Sequence, residues 1–322
     1  MKSLTLLVLS KPTLPCLRLL EGLPDSTRIV VGETPEALAA AAPEADAFLY
    51  ILQPRDKVKA VWDMAPNLRW VHSFVAGVDH TLFPELIASP VPLTNGRGVF
   101  APPLGDFTVF GILFFEKAVR HFLAAQAEAK WAPRNVGDVQ GKVLGIVGYG
   151  KIGQAAAIRA KAFGIKIHVL RRRPELAAAD PLVDKSYAPA ELDALIAASD
   201  YLMAAAPLTP ETRGMIGPAQ IAKLKPEAIV INVGRGPVVD EPALIEALRE
   251  RRIRGAALDV FNVEPLPADS PFYQLDNVYL SPHCADHIPS WQDDAAQFFV
   301  DNFNRFASGE PLENIVDKKA GY

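Results

Sequence analysis

The chain has 322 residues, half of them hydrophobic and 22% charged, with 33 Lys+Arg against 37 Asp+Glu for a net charge of -4. That length supports two domains with real cores, and the composition is that of an ordinary globular protein. The acidic balance argues against a nucleic-acid partner. The two cysteines, Cys16 and Cys284, give no disulfide framework and no Cys-x-x-Cys metal spacing, which suits a reducing, cytoplasmic setting.

The apolar run 4–9 is too short to cross a bilayer, and Lys11-Pro12 follows it where a signal peptide would carry its cleavage region. It is expected to be a buried first strand, and no membrane association is expected. Further strands are expected at 27–31, 47–52 and 69–72, with helices at 35–42 and 57–64, an alternation that marks an α/β unit. The alanine clusters at 39–42, 155–157 and 177–179 are helix and loop material. After the turn-rich Asn95-Gly96-Arg97-Gly98, a helical pattern runs over 104–130 and carries Phe107, Phe110, Phe114 and Phe115. So much aromatic surface must be buried, against its own domain or against a second subunit.

The most informative stretch comes next. The apolar run 143–147 meets Gly148-Tyr149-Gly150-Lys151-Ile152-Gly153, and an alanine-rich helical segment follows. Strand, Gly-x-Gly-x-x-Gly turn and helix in that order form a pyrophosphate cradle: Gly148 for the turn, Gly150 for the approach of the phosphates, Gly153 for close packing. The following strand, 165–170, ends in Arg171-Arg172-Arg173. An NAD site usually carries a carboxylate here for the ribose 2′-hydroxyl, whereas a guanidinium binds a 2′-phosphate. Arg171, helped by Arg172, is therefore expected to select NADP(H), with NAD(H) use possible; the alternative is a solvated basic turn.

Later strands are expected at 201–205, 228–232, 255–258 and 278–281, and a final helix at 291–306. Three of these strands run into a chemically useful side chain: Arg235, Glu264 and His283. Ligands bind beyond the carboxyl ends of parallel strands, the same rim as the glycine loop. Reducing a 2-keto acid needs a cation to hold the carboxylate and polarise the carbonyl, and an acid to protonate the alkoxide. Arg235 suits the first task, His283 the second, and Glu264 would orient His283 and raise its pKa. Taken singly they read as a loop charge, a surface acid and a buried histidine; their joint placement favours a site. The cluster His283-Cys284-Ala285-Asp286-His287 resembles a metal site, but its histidines fall outside a helix and no complementary ligand set exists, so no metal is expected.

These residues resemble the D-isomer-specific 2-hydroxyacid dehydrogenases. The matching motifs are the glycine loop, Ala206-Pro207-Leu208-Thr209-Pro210-Glu211-Thr212, Asn232-Val233-Gly234-Arg235-Gly236-Pro237-Val238-Val239-Asp240-Glu241, and Gly255-Ala256-Ala257-Leu258-Asp259-Val260-Phe261 with Glu264-Pro265-Leu266-Pro267. Ser281-Pro282-His283 completes them, and Ser73-Phe74-Val75-Ala76-Gly77-Val78-Asp79-His80 is a thinner N-terminal match. The resemblance implies two Rossmann-like doubly wound α/β domains with the active site between them: a discontinuous substrate domain, 1–98 plus 287–322, and a dinucleotide domain, 99–286. It implies a homodimer, and substrate binding by Val75, Ala76 and Gly77 opposite Arg235. It also implies cofactor contacts from Pro207, Thr212, Val233 and Asp259. Arg171 in place of the usual Asp, as in the glyoxylate and hydroxypyruvate reductase branch, points to an NADPH-preferring reductase of a small 2-keto acid. Asp106 stands where the family commonly has Glu, and no regulatory domain is expected after residue 322. Alternatives are a non-catalytic NAD(P)-sensing protein of this fold, or a dehydrogenase of a phosphorylated 2-hydroxy acid using Arg55 or Arg97.

Overall fold

The structure, a computed structural model, describes residues 3–175 and 179–322. The alanine cluster at 177–179 falls largely outside the described residues. The chain divides into two compact units, Met1–Phe100 with Ile288–Tyr322, and Ala101–His287.

The first unit is built on five parallel strands in the order β2-β1-β3-β4-β5: β1 Thr5–Leu9, β2 Arg28–Gly32, β3 Ala47–Tyr50, β4 Trp70–Ser73 and β5 Leu93–Asn95. Alternate residues feed opposite faces, so every side chain of β1 is buried. Leu7, Leu9, Phe48, Tyr50 and Val71 pack on one face, and Leu6, Val8, Leu49 and Trp70 on the other. The C-terminal helix Trp291–Ser308 covers that second face, its Phe299 stacked on Trp70 with ring centroids 5.4 Å apart. The return of the last residues to this unit is a consequence of that aromatic contact.

The second unit carries seven parallel strands in the order β12-β11-β10-β9-β6-β7-β8. These are β6 Val143–Val147, β7 Lys166–Leu170, β8 Lys185–Tyr187, β9 Tyr201–Ala204, β10 Ile229–Asn232, β11 Gly255–Leu258 and β12 Val278–Leu280. Chain order reverses between β6 and β9, which places a topological switch point beside the glycine loop. Both faces are covered: Val147, Leu202, Val230 and Leu258 lie in one core cluster, Leu144, Ile146, Met203 and Ile231 in the other.

The helix expected over 104–130 is two helices, Ala101–Glu116 and Val119–Ala127, broken at Ala118, whose φ is +50°. All four of the aromatics lie on the first of these helices. Phe107, Phe110 and Phe114 all pack on Tyr279; Phe107 and Phe114 are buried, whereas Phe110 is 44% exposed. No helix among the described residues is long and apolar enough to cross a membrane.

Candidate active site

The glycine loop joins β6 to the helix Lys151–Ala162, with Gly150 at the N-cap. Gly148 has φ +97°, and a Cβ there would lie 2.5 Å from the Ala206 nitrogen. Only glycine fits, because the turn presses its backbone directly against the loop after β9. Gly153 packs as tightly, a Cβ there falling 2.9 Å from the Gly148 carbonyl oxygen. At Gly150, by contrast, a Cβ would meet nothing within 4 Å, so the space over the helix N-terminus is open. An open, positively polarised backbone cradle fits a dinucleotide pyrophosphate. Lys151 is exposed and Ile152 half-buried on the first helical turn. Tyr149 is buried, and its hydroxyl donates to Asp180 at 2.8 Å; burial and that carboxylate push the phenol pKa up.

Two loops flank the cradle. At the end of β7 the Arg171 N–H donates to the Tyr187 carbonyl at 3.3 Å, and the Arg172 guanidinium lies 3.8 Å from the Glu211 carboxylate. The loop after β9 closes on itself: the Thr212 hydroxyl donates to the Pro207 carbonyl at 2.6 Å and accepts the Thr209 N–H at 2.8 Å. The arginine loop and the Pro207–Thr212 loop therefore meet at one edge of the switch point.

The ends of β10, β11 and β12 lead into the candidate catalytic groups. Asn232, the last residue of β10, ties down the next turn by donating to the Arg235 carbonyl and accepting the Gly234 N–H, each at 3.2 Å. Arg235 Nη1 donates to the Gly234 carbonyl at 3.0 Å. Val233 beside it is buried. Asp259, after β11, is 1% exposed, and one carboxylate oxygen accepts the N–H groups of Cys284 and Ala285, both at 3.0 Å. Its carbonyl accepts the His283 N–H at 2.9 Å. These three bonds fix the segment after β12 and hold His283 at φ +52°, a backbone state β-carbon residues seldom adopt.

His283 Nδ1 lies 2.6 Å from Glu264 Oε2, and Glu264 Oε1 accepts the Phe261 N–H at 2.8 Å. The carboxylate thus grips the backbone with one oxygen and the imidazole with the other. The Glu264 hydrogen bond raises the His283 pKa above its usual value, against burial and the Arg235 charge. Burial pushes Glu264 upward, but the bonds from His283 and Phe261 and the nearby positive charges outweigh it and hold the carboxyl below its usual range. Arg235 is close enough for its charge to act on both partners.

In the other unit, the Val75 carbonyl accepts from the Ser73 hydroxyl at 3.1 Å and the Ala76 carbonyl from Asn95 Nδ2 at 2.6 Å. Both bonds shape the turn Val75-Ala76-Gly77 after β4. Arg55, offered for a phosphorylated substrate, donates to the Asp79 and His80 carbonyls instead. Asp106 pairs with Arg159 Nε at 2.5 Å. Among the described residues, no three His, Cys, Asp or Glu side chains gather as a metal site. The backbone-holding part of Asp259 was not legible in the sequence, because its partners lie 25 and 26 residues further on. Neither was the bond from the Asn262 N–H to Glu241 Oε1, at 2.5 Å.

Residues 110–285 match the family model of the D-isomer specific 2-hydroxyacid dehydrogenase NAD binding domain. A glyoxylate reductase of Thermofilum pendens is 35% identical over 283 residues, spanning 85% of this chain and 82% of that protein. A glyoxylate/hydroxypyruvate reductase B of Pectobacterium carotovorum is 47% identical over 181 residues, 56% of each chain. Among solved structures, a D-isomer specific 2-hydroxyacid dehydrogenase of Xanthobacter autotrophicus in complex with NADPH superposes with a TM-score of 0.83 at 31% identity over the whole of both chains. The NADPH-dependent glyoxylate/hydroxypyruvate reductase of Sinorhizobium meliloti, bound to NADP, gives a TM-score of 0.81 at 28% identity over 99% of this chain and all of that one. With its glycine loop at the switch point and a histidine–carboxylate pair on the same rim, the chain belongs to the D-isomer-specific 2-hydroxyacid dehydrogenases, a family of oxidoreductases.

Proposed function

We propose that this protein is an NADPH-preferring reductase of a small 2-keto acid, glyoxylate or hydroxypyruvate, yielding the D-2-hydroxy acid. The observation that carries the reading is the 2.6 Å bond between His283 and Glu264, formed within the field of Arg235. The names of the relatives supply the substrate class, and the arginines after β7 supply the cofactor preference.

A bound reduced nicotinamide supplies the hydride. Arg235 holds the substrate carboxylate and carbonyl oxygen with its forked donors, withdrawing electron density from the carbon that accepts the hydride. His283 is fastened to Glu264 through Nδ1, which leaves Nε2 to protonate the forming alkoxide. Glu264 fixes the ring and stabilises the imidazolium, so the proton is available near neutral pH. The N–H groups of Ala76 and Gly77, in the turn with Val75, are further donors for the substrate carboxylate. Arg171 and Arg172 take the 2′-phosphate, the loop 148–153 the pyrophosphate, and Pro207, Thr212, Val233 and Asp259 line the nicotinamide side. NADH serves less well because it gives the two arginines no phosphate. The protein acts in the cytoplasm as a homodimer.

Initial rates for glyoxylate, hydroxypyruvate, pyruvate and phenylpyruvate, each with NADPH and NADH, test this. The expected result is the highest kcat/KM for glyoxylate or hydroxypyruvate with NADPH. Absence of turnover with every keto acid would leave only cofactor binding, and a preference for NADH would overturn the cofactor assignment.

A further inference from the structure

The backbone of Phe261 and Asn262 is held from three sides. Gly236 lies so close that a Cβ on it would fall 2.0 Å from the Phe261 carbonyl carbon and 2.5 Å from the Asn262 nitrogen. Glu264 accepts the N–H at one end, from Phe261 at 2.8 Å, and Glu241 accepts the N–H at the other, from Asn262 at 2.5 Å. Gly236 is the neighbour of Arg235, and Glu241 closes the same segment. The strand-end loop that carries the guanidinium therefore grips the turn that carries the acid/base carboxylate.

Glu241 is well placed to grip. It opens the helix Glu241–Arg249, whose N-cap Asp240 accepts the Ala243 N–H at 2.9 Å, so its backbone is anchored independently of the turn. Its other side borders a cleft of about 320 Å³, also lined by Arg213, Asp240 and Asn262. Truncation at Glu241 therefore opens onto this cleft and removes a hydrogen bond without collapsing a core.

We propose that Glu241 is a positioning residue: by holding the Asn262 N–H it anchors the backbone on the C-terminal side of Phe261, hence the conformation of Phe261, the aim of the Phe261 N–H at Glu264 and the alignment of Glu264 with His283. The inference rests on the keto-acid reductase reading for its kinetic consequence, but its geometric consequence stands apart from turnover. The charged groups around the pair are Glu264, Arg235, Asp259 and Asp286 about His283, and His283, Arg235 and Glu241 about Glu264. Within that field, loosening the turn weakens the bond that keeps His283 protonated. A displacement of order 1 Å at a reacting group costs about 100-fold in rate.

The test compares wild type, Glu241→Ala and Glu241→Gln in the full-length protein, by kinetics with NADPH and glyoxylate and by NMR titration of His283 without substrate. Glu241→Ala is expected to lower kcat by roughly 10- to 100-fold with KM little changed, and to lower the His283 pKa. Glu241→Gln should restore most of both, because its amide oxygen still accepts the Asn262 N–H. Should the alanine variant not fold, Glu241→Asp, too short to reach the amide, takes its place. An unmoved His283 pKa and kcat in the truncated variant, or a glutamine variant as impaired as alanine, would overturn the proposal. If wild type reduces no keto acid, the functional reading fails, and the titration alone still decides whether Glu241 positions the pair.

Discussion

A histidine beside a carboxylate keeps its proton to higher pH than a free imidazole, and at 2.6 Å His283 and Glu264 meet that condition. The sign follows directly. On the proposed mechanism keto-acid reduction uses the protonated ring, so it should persist above the usual imidazole value and fall as pH rises through the raised pKa. The histidine's contribution to folding has the same sense, being fully present below the usual imidazole value and lost as pH rises through the raised pKa, while the lowered Glu264 pKa adds a contribution that is lost as pH falls through it. Replacing Glu264 by glutamine should move the basic limb of the kcat/KM profile to lower pH; a limb that stays in place would remove Glu264 from this role. His283→Ala should cut reduction by about 10²- to 10⁴-fold at all pH values, read as initial rate with saturating NADPH. The arginines proposed to take the 2′-phosphate give a separate residue-scale expectation. Hydrogen bonds to charged groups contribute about 1.5–3 kcal/mol each, so Arg171→Ala should raise the KM for NADPH roughly 10- to 100-fold and leave NADH nearly unchanged. Arg172→Ala should act in the same sense, since it also frees Glu211, 3.8 Å away, to repel a phosphate. Equal effects on the two cofactors would refute the assignment.

At the scale of elements, legibility followed the range of the causes. The strand at 255–258 was readable because burial on both faces turns a parallel strand into an apolar run bounded by turn residues. The break at Ala118 was not, because nothing local demands it: neither glycine nor proline stands between Glu116 and Val119. Its cause is tertiary. Glu116 is 2% exposed and takes a hydrogen bond from the Tyr201 hydroxyl at 2.8 Å and from Arg254 Nη1 at 2.9 Å, while its carbonyl accepts the Gly137 N–H at 2.7 Å. A carboxylate this deeply buried is tolerable only when paired, so the helix ends where its partners are. The partners lie 85 and 138 residues away, beyond any local pattern. Glu116→Ala strands a buried phenol and a partly buried guanidinium, and should destabilise the protein by about 2–4 kcal/mol. The fall in the chemical-denaturation midpoint measures it. A change under about 0.5 kcal/mol, the scale of an ordinary surface substitution, would show that the pin bears no energy.

For the whole molecule, the alternation over the first 98 residues marked one α/β unit and the family resemblance implied the second, while the aromatic helix pattern called for burial against its own domain or against a second subunit. In the second unit, Phe110, Phe122, Leu123, Trp131 and Val136, all between residues 110 and 136, are 44%, 40%, 57%, 96% and 48% exposed, alongside scattered exposed apolar residues such as Ile158 and Val263. The helix Val119–Ala127 has no buried residue at all, although its sequence is mostly apolar. Its formation and its apolar face are hard to reconcile with a solitary chain in water, because a short helix draws its stability from packing. A second copy of the chain against this stretch accounts for both, and an apolar patch of this kind commonly marks a subunit interface. Sedimentation of wild type at micromolar concentration is therefore expected to give twice the mass of one chain. Leu123→Glu combined with Trp131→Glu should give single chains, with the far-ultraviolet circular dichroism of the sheets retained and a lower thermal midpoint. A wild-type protein sedimenting as single chains, or a charge-bearing double variant that remains paired, would place the interface elsewhere or remove it.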